Sequence, residues 1–526
     1  HLTTENVAAL RRTLARDQYN VVVGNPPYIQ AKDKVLNQHY RRLYRHCKGK
    51  YSLTVPFMEQ FHALAKSGSL EPARSGWVGQ ITSNSFMARE FGASIIEEFL
   101  PRIDLLEVVD SSGVYVPGHG TPTVVLISRS RSPQSETVRA ALGKEGEPGT
   151  PEDPARGFVW RSIVENIESP GFEDQWLSVV DLPRETLASH PWSLQGGATL
   201  RTLEVLENAA YSPLGDVVKS VGYVGILGED AAYKVPSSAR RLEGSVSFAR
   251  LVAGDAVRDW NISHGEEVIL PYSSDGADAD HSPDLRNVLW PTRPLLQART
   301  YFGRSHKERG MEWTEYAFFM KARFLTANLI TFAQVATHNH FSIGGPCNVF
   351  KETAPVIELP YGSVREDFLK LVGILNSSTA CFWLKQNCHN KGSTADSKGA
   401  RTTLSEWENF YQFSGTKVKD FPLPAGKVLD RARRIDQLAQ ELAAVEPAAL
   451  LRHSSPSAEL FARGEAEWER IRGLMIAEQE ELDWQVYRLY GFTDSDLSLP
   501  VGEVPGIALG ERAFEIALAR RVQAGE

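Results

Sequence analysis

Short apolar runs and helical stretches alternate through the first 130 residues, and this alternation restricts the fold more than any other feature of the sequence. The apolar runs have the length of strands and lie at Tyr19–Val23, Gly76–Ile81, Leu105–Val109 and Thr123–Ile127. Helical stretches lie between them, at Val55–Lys66 and Phe91–Leu100. Strands separated by helices predict a parallel or mixed α/β sheet. The first run ends at Gly24 and indicates a buried strand.

The rest of the chain changes texture twice. From Ser128 to Arg156 it is rich in Ser, Pro, Gly and charged residues, which indicates a linker or surface loop. Short strands with few long helices are predicted from Trp192 to Pro424, and helical segments at Val428–Glu446 and Ala458–Tyr490. We therefore expect four regions, namely an α/β region at 1–130, a linker and extension at 131–190, a mixed α+β region at 191–425 and a helical region at 426–526.

Composition excludes several classes of protein. Four cysteines without a CxxC pair predict neither a disulfide framework nor a metal site. No run of about 18 apolar residues and no signal peptide is present, so we expect a cytoplasmic protein that does not enter a membrane. The chain begins with His1 rather than Met, and we expect it to be cut from a longer protein. The net charge of −8 argues mildly against a surface that binds DNA throughout, but not against a single basic cleft.

The tetrapeptide Asn25-Pro26-Pro27-Tyr28 directly follows the first predicted strand, at the carboxyl end where α/β proteins place their sites. An exocyclic amine such as adenine N6 is a poor nucleophile, because its lone pair is delocalised into the ring. The amide oxygen of Asn25 and the backbone carbonyl of Pro26 can accept both of its hydrogens and so localise that lone pair. Two prolines fix the backbone and remove competing N–H donors. Tyr28 offers a flat face to a base pulled out of the stack.

At these residues the sequence resembles the amino-methylating DNA methyltransferases, whose hallmark is Asn, Asp or Ser followed by Pro-Pro and an aromatic residue. Further blocks look like the motifs that follow in the family, and they lie at Lys50–Leu53, Gly76–Met87, Asp104–Asp110 and Pro117–Ile127. Their order is similar to the gamma-type arrangement, in which the donor-binding motif precedes the catalytic one and target recognition follows. The resemblance implies adenine-N6 methylation of double-stranded DNA with base flipping.

The resemblance also implies the fold and the site residues. Residues 1–130 would be the C-terminal part of a Rossmann-like class I methyltransferase sheet, followed by a mixed α+β target-recognition domain and a helical C-terminal segment. Asn25, Pro26, Pro27 and Tyr28 would be catalytic. In the family a second aromatic residue, just before the last strand, stacks on the other face of the flipped adenine. Tyr115 is the nearest candidate here, and His119 is its rival.

The implied methyl donor is S-adenosylmethionine, whose binding signature is a strand, a Gly-rich turn and a helix. Only 18 residues precede the first strand at Tyr19. Later glycine pairs, at Gly118–Gly120, Gly196–Gly197 and Gly344–Gly345, do not lie between a predicted strand and a helix. We therefore expect the main donor-binding motif to lie outside this chain, and the isolated chain to be inactive.

Two basic clusters in the second half predict contacts with DNA phosphates. The segment from Arg293 to Arg323 contains seven basic residues and only three acidic ones, and Tyr301, Phe302, Trp313 and Tyr316 are interleaved with them. The second cluster surrounds a Gly/Ser-rich turn near residue 392. The predicted DNA-binding residues are Arg293, Arg299, Arg304, Lys307, Arg309, Lys385, Lys391, Lys398 and Arg401.

Several segments of this half resemble the recognition domains of fused restriction–methylation enzymes, among them Pro213–Asp216, Leu371–Ser378, Lys419–Pro424 and Leu482–Phe492. The whole pattern looks most like the PglX-type methyltransferases of bacteriophage-exclusion (BREX) systems. The resemblance implies a role in phage defence, with other proteins of the defence system as partners. Two alternatives stay open: a fused enzyme that also cleaves DNA, and a DNA-binding specificity module without catalysis.

Overall fold

A computed structural model describes residues 6–194, 196–197, 199–235, 244–258, 260–263, 266–273, 278–392, 410–426, 428–452 and 454–507. The chain divides into two compact units, each discontinuous in sequence. The first unit contains residues 1–203 and 386–411, and the second contains residues 204–385 and 412–526. The first carries the Asn-Pro-Pro-Tyr segment.

A six-stranded sheet organises the first unit. Its strands are β1 (Val21–Gly24), β2 (Trp77–Ser83), β3 (Asp104–Asp110), β4 (Thr123–Arg129), β5 (Thr137–Gly143) and β6 (Leu177–Pro183), in the spatial order β1-β2-β4-β3-β5-β6. β1 pairs with β2 in parallel, and β3 pairs with β5 in parallel. β4 is antiparallel to both of its neighbours, so β1, β2 and β3 all run in the same direction. The four strands predicted within the first 130 residues are confirmed.

Side chains alternate between two hydrophobic cores on the two faces of the sheet. Val108 lies in the larger core with Leu126, whereas its neighbour Val109 lies in the smaller core with Ile163. This is the two-residue period of a strand with both faces covered. The helices of this unit are α1 (Val7–Thr13), α2 (Lys34–Leu43), α3 (Thr54–Leu64), α4 (Ser85–Ala88) and α5 (Phe158–Asn166). The fold is the Rossmann-like α/β arrangement that the sequence predicts.

The helix predicted at Phe91–Leu100 differs in geometry from the expectation. A 3₁₀ turn at Glu90–Gly92 is followed by a π-helical turn at Ile95–Phe99 and another 3₁₀ turn at Leu100–Arg102. Pro101 lies at the start of the last turn, where its missing N–H costs no hydrogen bond. Further 3₁₀ turns of this unit lie at Pro72–Arg74, Pro154–Arg156 and Arg184–Ala188.

The prediction that the first strand is buried is wrong. Val21 is 58% exposed and Val23 is 76% exposed. β1 is the edge strand of the sheet, and α3 packs on the face that carries Gly24. The opposite face of β1, which carries both valines, is left open among the described residues.

The interpretation of Ser128–Arg156 as a linker or loop is also wrong for part of its length. β5 lies inside this segment and is an interior strand between β3 and β6. Its Val138, Ala140 and Leu142 are all buried. Ala has low strand propensity and Pro, Ser and Gly flank the run, so the local pattern resembles a loop although tertiary packing makes it a strand.

The second unit is built from small sheets. A four-stranded sheet has the order Phe341–Gly344, Leu329–Phe332, Val356–Glu358, Ser220–Gly222, and a three-stranded sheet has the order Glu266–Ile269, Phe248–Val252, Asn348–Phe350. Strand pairs join Val257–Arg258 with Asn261–Ile262, Thr300–Tyr301 with Arg304–Ser305, Gly225–Ile226 with Phe318–Phe319, and Ala210–Pro213 with Pro422–Pro424. A further short strand of this unit lies at Val335–Ala336, whereas His389–Gly392 is a strand of the first unit and Phe410–Gln412 lies at the boundary of the two units.

Helices of the second unit and of its boundaries lie at Thr199–Asn208, Leu214–Val217, Asp230–Tyr233, Pro283–Leu289, Arg293–Ala298, Lys321–Phe324, Arg365–Leu375, Ser378–Asn387, Gly415–Lys419, Leu429–Ala444, Pro447–Leu450 and Ala458–Leu489. Short 3₁₀ turns lie at Gly254–Ala256, Trp290–Thr292 and Lys307–Arg309. The two long helices near the C-terminus confirm the predicted helical segment. They are joined by a buried ion pair between Arg431 and Glu478, whose side chains are 0% and 3% exposed.

Candidate active site

The strand directions bring four chain segments to the same end of the sheet. The carboxyl ends of β1, β2 and β3 lie at this end, together with the start of β4, because β4 runs the opposite way. Asn25 therefore follows β1 at the same end where the loop 111–122 leads into Thr123. Residues that are distant in sequence, such as Tyr28 and His119, meet here.

The Asn-Pro-Pro-Tyr segment begins where β1 passes under α3. A Cβ atom on Gly24 would lie 2.4 Å from the ring of Phe61, so any larger residue would require the ring to move. After it, Asn25 is exposed, Pro26 is buried and Tyr28 is half-buried. The amide of Asn25 is thus exposed at the carboxyl end of β1, next to the buried Pro26.

Tyr28 and Asn25 are joined by a hydrogen bond. The hydroxyl of Tyr28 donates to Oδ1 of Asn25 over 2.6 Å. Burial raises the pKa of Tyr28 above its ordinary value, so the hydroxyl keeps its proton at neutral pH and remains a donor. An amide oxygen has two lone pairs, so Oδ1 can accept a second hydrogen while Tyr28 holds the amide in place.

Contacts from the Lys50–Leu53 segment hold the chain just after Tyr28. The backbone N–H of Leu53 donates to the carbonyl of Ile29 over 2.9 Å, and Nε2 of Gln30 donates to the carbonyl of Lys50 over 3.0 Å. A buried hydroxyl pair, Thr82 Oγ1 donating to Thr54 Oγ1 over 3.0 Å, ties β2 to the start of α3. The segment that resembles the family's next motif therefore holds the two residues that follow the tetrapeptide.

The structure separates the two candidates for the second base-stacking residue. Tyr115 is only 4% exposed, so its ring face is not open to a base, and this burial speaks against the predicted role. The ring of His119 instead lies 5.3 Å from the ring of Tyr28, in an edge-on arrangement. Nε2 of His119 is buried and has no hydrogen-bond partner among the described residues. The sequence identifies both residues as candidates, but the ring that lies beside Tyr28 is known only from the fold.

The first basic cluster divides into buried and exposed members. Arg299 is 6% exposed, and its guanidinium donates to the backbone carbonyls of Leu296, Leu227, Trp313 and Glu315. Such a side chain braces the fold, so the expectation that Arg299 contacts DNA does not agree with its position. Arg304 and Lys307 are exposed.

Two further arginines of that cluster are half-buried. Arg293 lies over the ring of Trp290, with 4.5 Å between Cζ and the ring centroid. Arg309 lies over Tyr301 at 5.1 Å and donates to the carbonyl of Ala317 over 2.6 Å. Both have aromatic partners, which reduces but does not remove their access to a phosphate.

The second basic cluster falls partly in the first unit. Lys385 is half-buried at the end of the second unit's segment 204–385, and Lys391 is exposed on a strand of the first unit. Lys398 and Arg401 lie outside the described residues. In the first unit, Arg89 Nη2 lies 2.8 Å from Nε2 of His389, and Ser193 Oγ donates to Oε1 of Gln386 over 2.7 Å. These contacts were not foreseen, because 300 residues separate Arg89 from His389.

Two other features bear on ligands. Within the described ranges no group of three His, Cys, Asp or Glu side chains could hold a metal ion. Among the described residues, no strand leads through a glycine-rich turn into a helix, which is the signature expected for the donor. No described helix is long and apolar enough to cross a membrane.

Known proteins resemble the chain over its whole length. Residues 3–115 match the Eco57I restriction-modification methylase family, and residues 475–526 match a domain of unknown function, DUF7008. The adenine-specific methyltransferase PglX of Streptomyces coelicolor is 44% identical, over 99% of this chain and 44% of the relative. The chain is a homologue of PglX. The identity to PglX supports the sequence-based resemblance to the PglX-type methyltransferases.

More distant relatives agree with the homology to PglX. The type II methyltransferase M.PaeR7I of Pseudomonas aeruginosa is 22% identical over 54% of this chain and 47% of its own length. The chain spans less than half of the length of PglX and of M.PaeR7I. The type IIL restriction-modification enzyme MmeI, solved in complex with DNA, has the same fold, with a TM-score of 0.51 and 10% identity over 90% of this chain and 54% of MmeI.

Proposed function

We propose that the parent protein of this chain transfers a methyl group from S-adenosylmethionine to adenine N6 in a specific sequence of double-stranded DNA, with base flipping, as part of bacterial phage defence. The observation that carries the proposal is the amide of Asn25, exposed at the carboxyl end of β1 and held by Tyr28. The homology to the adenine-specific methyltransferase PglX supports it.

The residues of this chain act on the acceptor amine. One N6 hydrogen is donated to the free lone pair of Asn25 Oδ1, and the other to the carbonyl of Pro26. Both bonds draw the nitrogen lone pair out of the ring and direct it away from the two acceptors. The hydroxyl of Tyr28 fixes the amide of Asn25, so the acceptor is already oriented when the base arrives.

The ring of Tyr28 is the proposed platform for the flipped adenine, and His119 flanks it. The unpartnered Nε2 of His119 is available to a water molecule or to the edge of the base. We assign Tyr115 to the support of this loop rather than to stacking, since it is buried.

The donor S-adenosylmethionine supplies the electrophilic methyl group when it is bound. The described elements contain no strand, glycine-rich turn and helix in succession, and we propose that the main donor-binding motif lies outside this chain. The described residues would contribute the acceptor side of the site. Duplex DNA is the proposed partner, and other proteins of the phage-defence system are proposed as further partners.

The direct test uses the full-length parent protein, labelled S-adenosylmethionine and duplexes from the host genome. We expect label in N6-methyladenine, at one recognised sequence. Label in methylcytosine, or none in any base, would contradict the proposal. Calorimetry of donor binding to this chain and to the parent separates an enzyme from a specificity module without catalysis, since we expect binding only to the parent.

Substitutions of Tyr28 separate its hydroxyl from its ring. Tyr28→Phe keeps the stacking face but loses one hydrogen bond of about 0.5–1.5 kcal/mol, so methylation should fall about 2- to 13-fold. Tyr28→Ala also loses stacking, of about 1–3 kcal/mol, and should fall further. Single-turnover methylation rates of both variants provide the measurement. Equal losses would assign the whole effect to the hydroxyl.

The exposed basic residues are expected to contact phosphates. Arg304→Ala, Lys307→Ala and Lys391→Ala should each weaken binding to every duplex and flatten the log–log salt dependence by about one unit. Arg470→Ala is the matched control, because Arg470 is exposed and paired with Glu467. Salt titrations on recognised and scrambled duplexes measure both. A variant with an unchanged slope would remove that residue from the DNA contact.

A further inference from the structure

A β-hairpin of the second unit presents one aromatic side chain to solvent. The strands Thr300–Tyr301 and Arg304–Ser305 pair antiparallel and leave a two-residue loop, Phe302-Gly303. Phe302 is 90% exposed. An aromatic ring this open loses the favourable burial of its apolar surface, so its position is not explained by packing in the free protein.

The backbone of the loop adds a second unusual feature. Phe302 has φ +50° and Gly303 has φ +76°. Two-residue hairpin loops with positive φ at both positions favour Asn-Gly or Asp-Gly, and a bulky residue at the first position is strained. Strain of this kind is concentrated at functional sites. The hairpin therefore holds at its tip a residue that neither its packing nor its conformation favours.

The base of the hairpin is rigid. Arg299, just before the first strand, donates to the carbonyls of Leu227, Trp313 and Glu315. After the second strand, the imidazole of His306 is 3% exposed and lies 3.2 Å from the carbonyl of Glu315. Both legs are thus fixed to the same segment. The buried Arg299 therefore holds the base of the hairpin in place when its tip contacts another molecule.

The ring of Phe302 at the tip also packs against the preceding residue, Tyr301. The ring of Tyr301 lies 4.5 Å from the ring of Phe302, and its hydroxyl lies 3.1 Å from that of Tyr223. Arg309 covers the ring of Tyr301. Phe302 therefore stands on an aromatic base rather than on a flexible loop.

Two exposed cations follow the exposed ring in sequence. Arg304 begins the second strand of the hairpin and Lys307 lies in the turn after it, and neither has an ion-pair partner among the described residues. Glu308, in the 3₁₀ turn after the hairpin, accepts hydrogen bonds from the backbone N–H and the hydroxyl of Ser305. An exposed aromatic ring with two exposed cations close by in the chain matches the chemistry of a base step and its phosphates.

We propose that Phe302 is a wedge that inserts between stacked base pairs of duplex DNA, while Arg304 and Lys307 contact the adjacent phosphates. This inference rests on the DNA binding in the proposed function, but not on the methyl transfer. Insertion would locally unstack and bend the duplex. Phe302 would then deform the duplex, whereas the sequence indicates only that it is one of several aromatic residues interleaved with basic ones.

The test measures affinity and bending together, with the full-length parent protein and a duplex that carries the recognised sequence and a fluorophore at each end. Base–aromatic stacking of the usual strength predicts that Phe302→Ala lowers affinity about 5- to 150-fold and reduces bending. The slope of the salt dependence should not change, because the side chain is uncharged. Phe302→Leu keeps an apolar wedge and should retain most of both effects.

Two variants control for folding and for general exposure. Phe302→Asn creates the favoured Asn-Gly loop, so the thermal midpoint should not fall although binding does. Tyr361→Ala removes another fully exposed aromatic, at a turn before Gly362, and should bind as the wild type does. A series of duplexes with one abasic position each locates the step, since the loss in Phe302→Ala should shrink where stacking is already absent.

Two results would overturn the wedge. One is that Phe302→Ala binds and bends the duplex as the wild type does. This includes the case in which the variant fails only to bind another protein. The other is an equal loss on every abasic duplex. Methylation by the wild-type parent is measured in parallel, so bending that depends on Phe302 without methyl transfer would support the wedge and contradict the proposed function.

Discussion

Asn25→Ala in the full-length parent is expected to lower the methylation rate by about 10²–10³-fold, the usual effect of removing one hydrogen-bonding group aimed at the transition state. Asn25 is exposed and supports no core contact, so the fold should not change. DNA affinity should stay within about twofold, because the contact strengthens as the amine becomes nucleophilic. Single-turnover rates and anisotropy titrations measure the two effects.

Asn25→Asp is the control for this experiment. The carboxylate keeps an acceptor at the same position, and the family's hallmark allows Asp there, so the rate should exceed that of Asn25→Ala. Methylation by Asn25→Ala within about tenfold of the wild type, a change of only about 1.4 kcal/mol, would show that the catalytic assignment is wrong.

Arg431→Ala is expected to destabilise the C-terminal helical region by about 3–5 kcal/mol, because it leaves the carboxylate of Glu478 buried without its partner. The guanidinium of Arg431 also donates to the carbonyl of Leu499, so the segment after the long helix loses an anchor. Hydrogen exchange of residues 429–499 measures the change where it occurs.

Arg433→Ala, two residues along the same helix, is the matched control. Arg433 is 50% exposed and pairs with Asp430, so its loss should cost at most about 1 kcal/mol. Arg431→Met combined with Glu478→Leu should recover much of the stability, since an apolar pair replaces the two charges. Equal effects of Arg431→Ala and Arg433→Ala would contradict this account.

The sequence predicted best what depends on local pattern. Four strands and the tetrapeptide after β1 were foreseen, since apolar runs and proline chemistry are visible in single segments. β5 was missed because its flanks resemble a loop, and pairing with β3 and β6 decides its structure. Propensity alone does not contain that information.

The placement of charge was predicted less well. The sequence does not distinguish an arginine that is free to bind a phosphate from one that is bonded to backbone carbonyls. Arg304 is exposed, whereas Arg299 is buried and donates to four carbonyls. The same applies to Tyr115 and His119, which lie four residues apart. Distances between distant segments, such as that between Tyr28 and His119, require the fold.

The open edge of β1 has a practical consequence for work on this chain by itself. Among the described strands, β1 pairs only with β2, and it exposes Val21 and Val23, so a second copy can add a strand at this edge. Purified at high concentration, the isolated chain should aggregate through this edge. Assays of this chain by itself therefore need dilute samples and a check by light scattering, so that lost material is not taken for lack of activity.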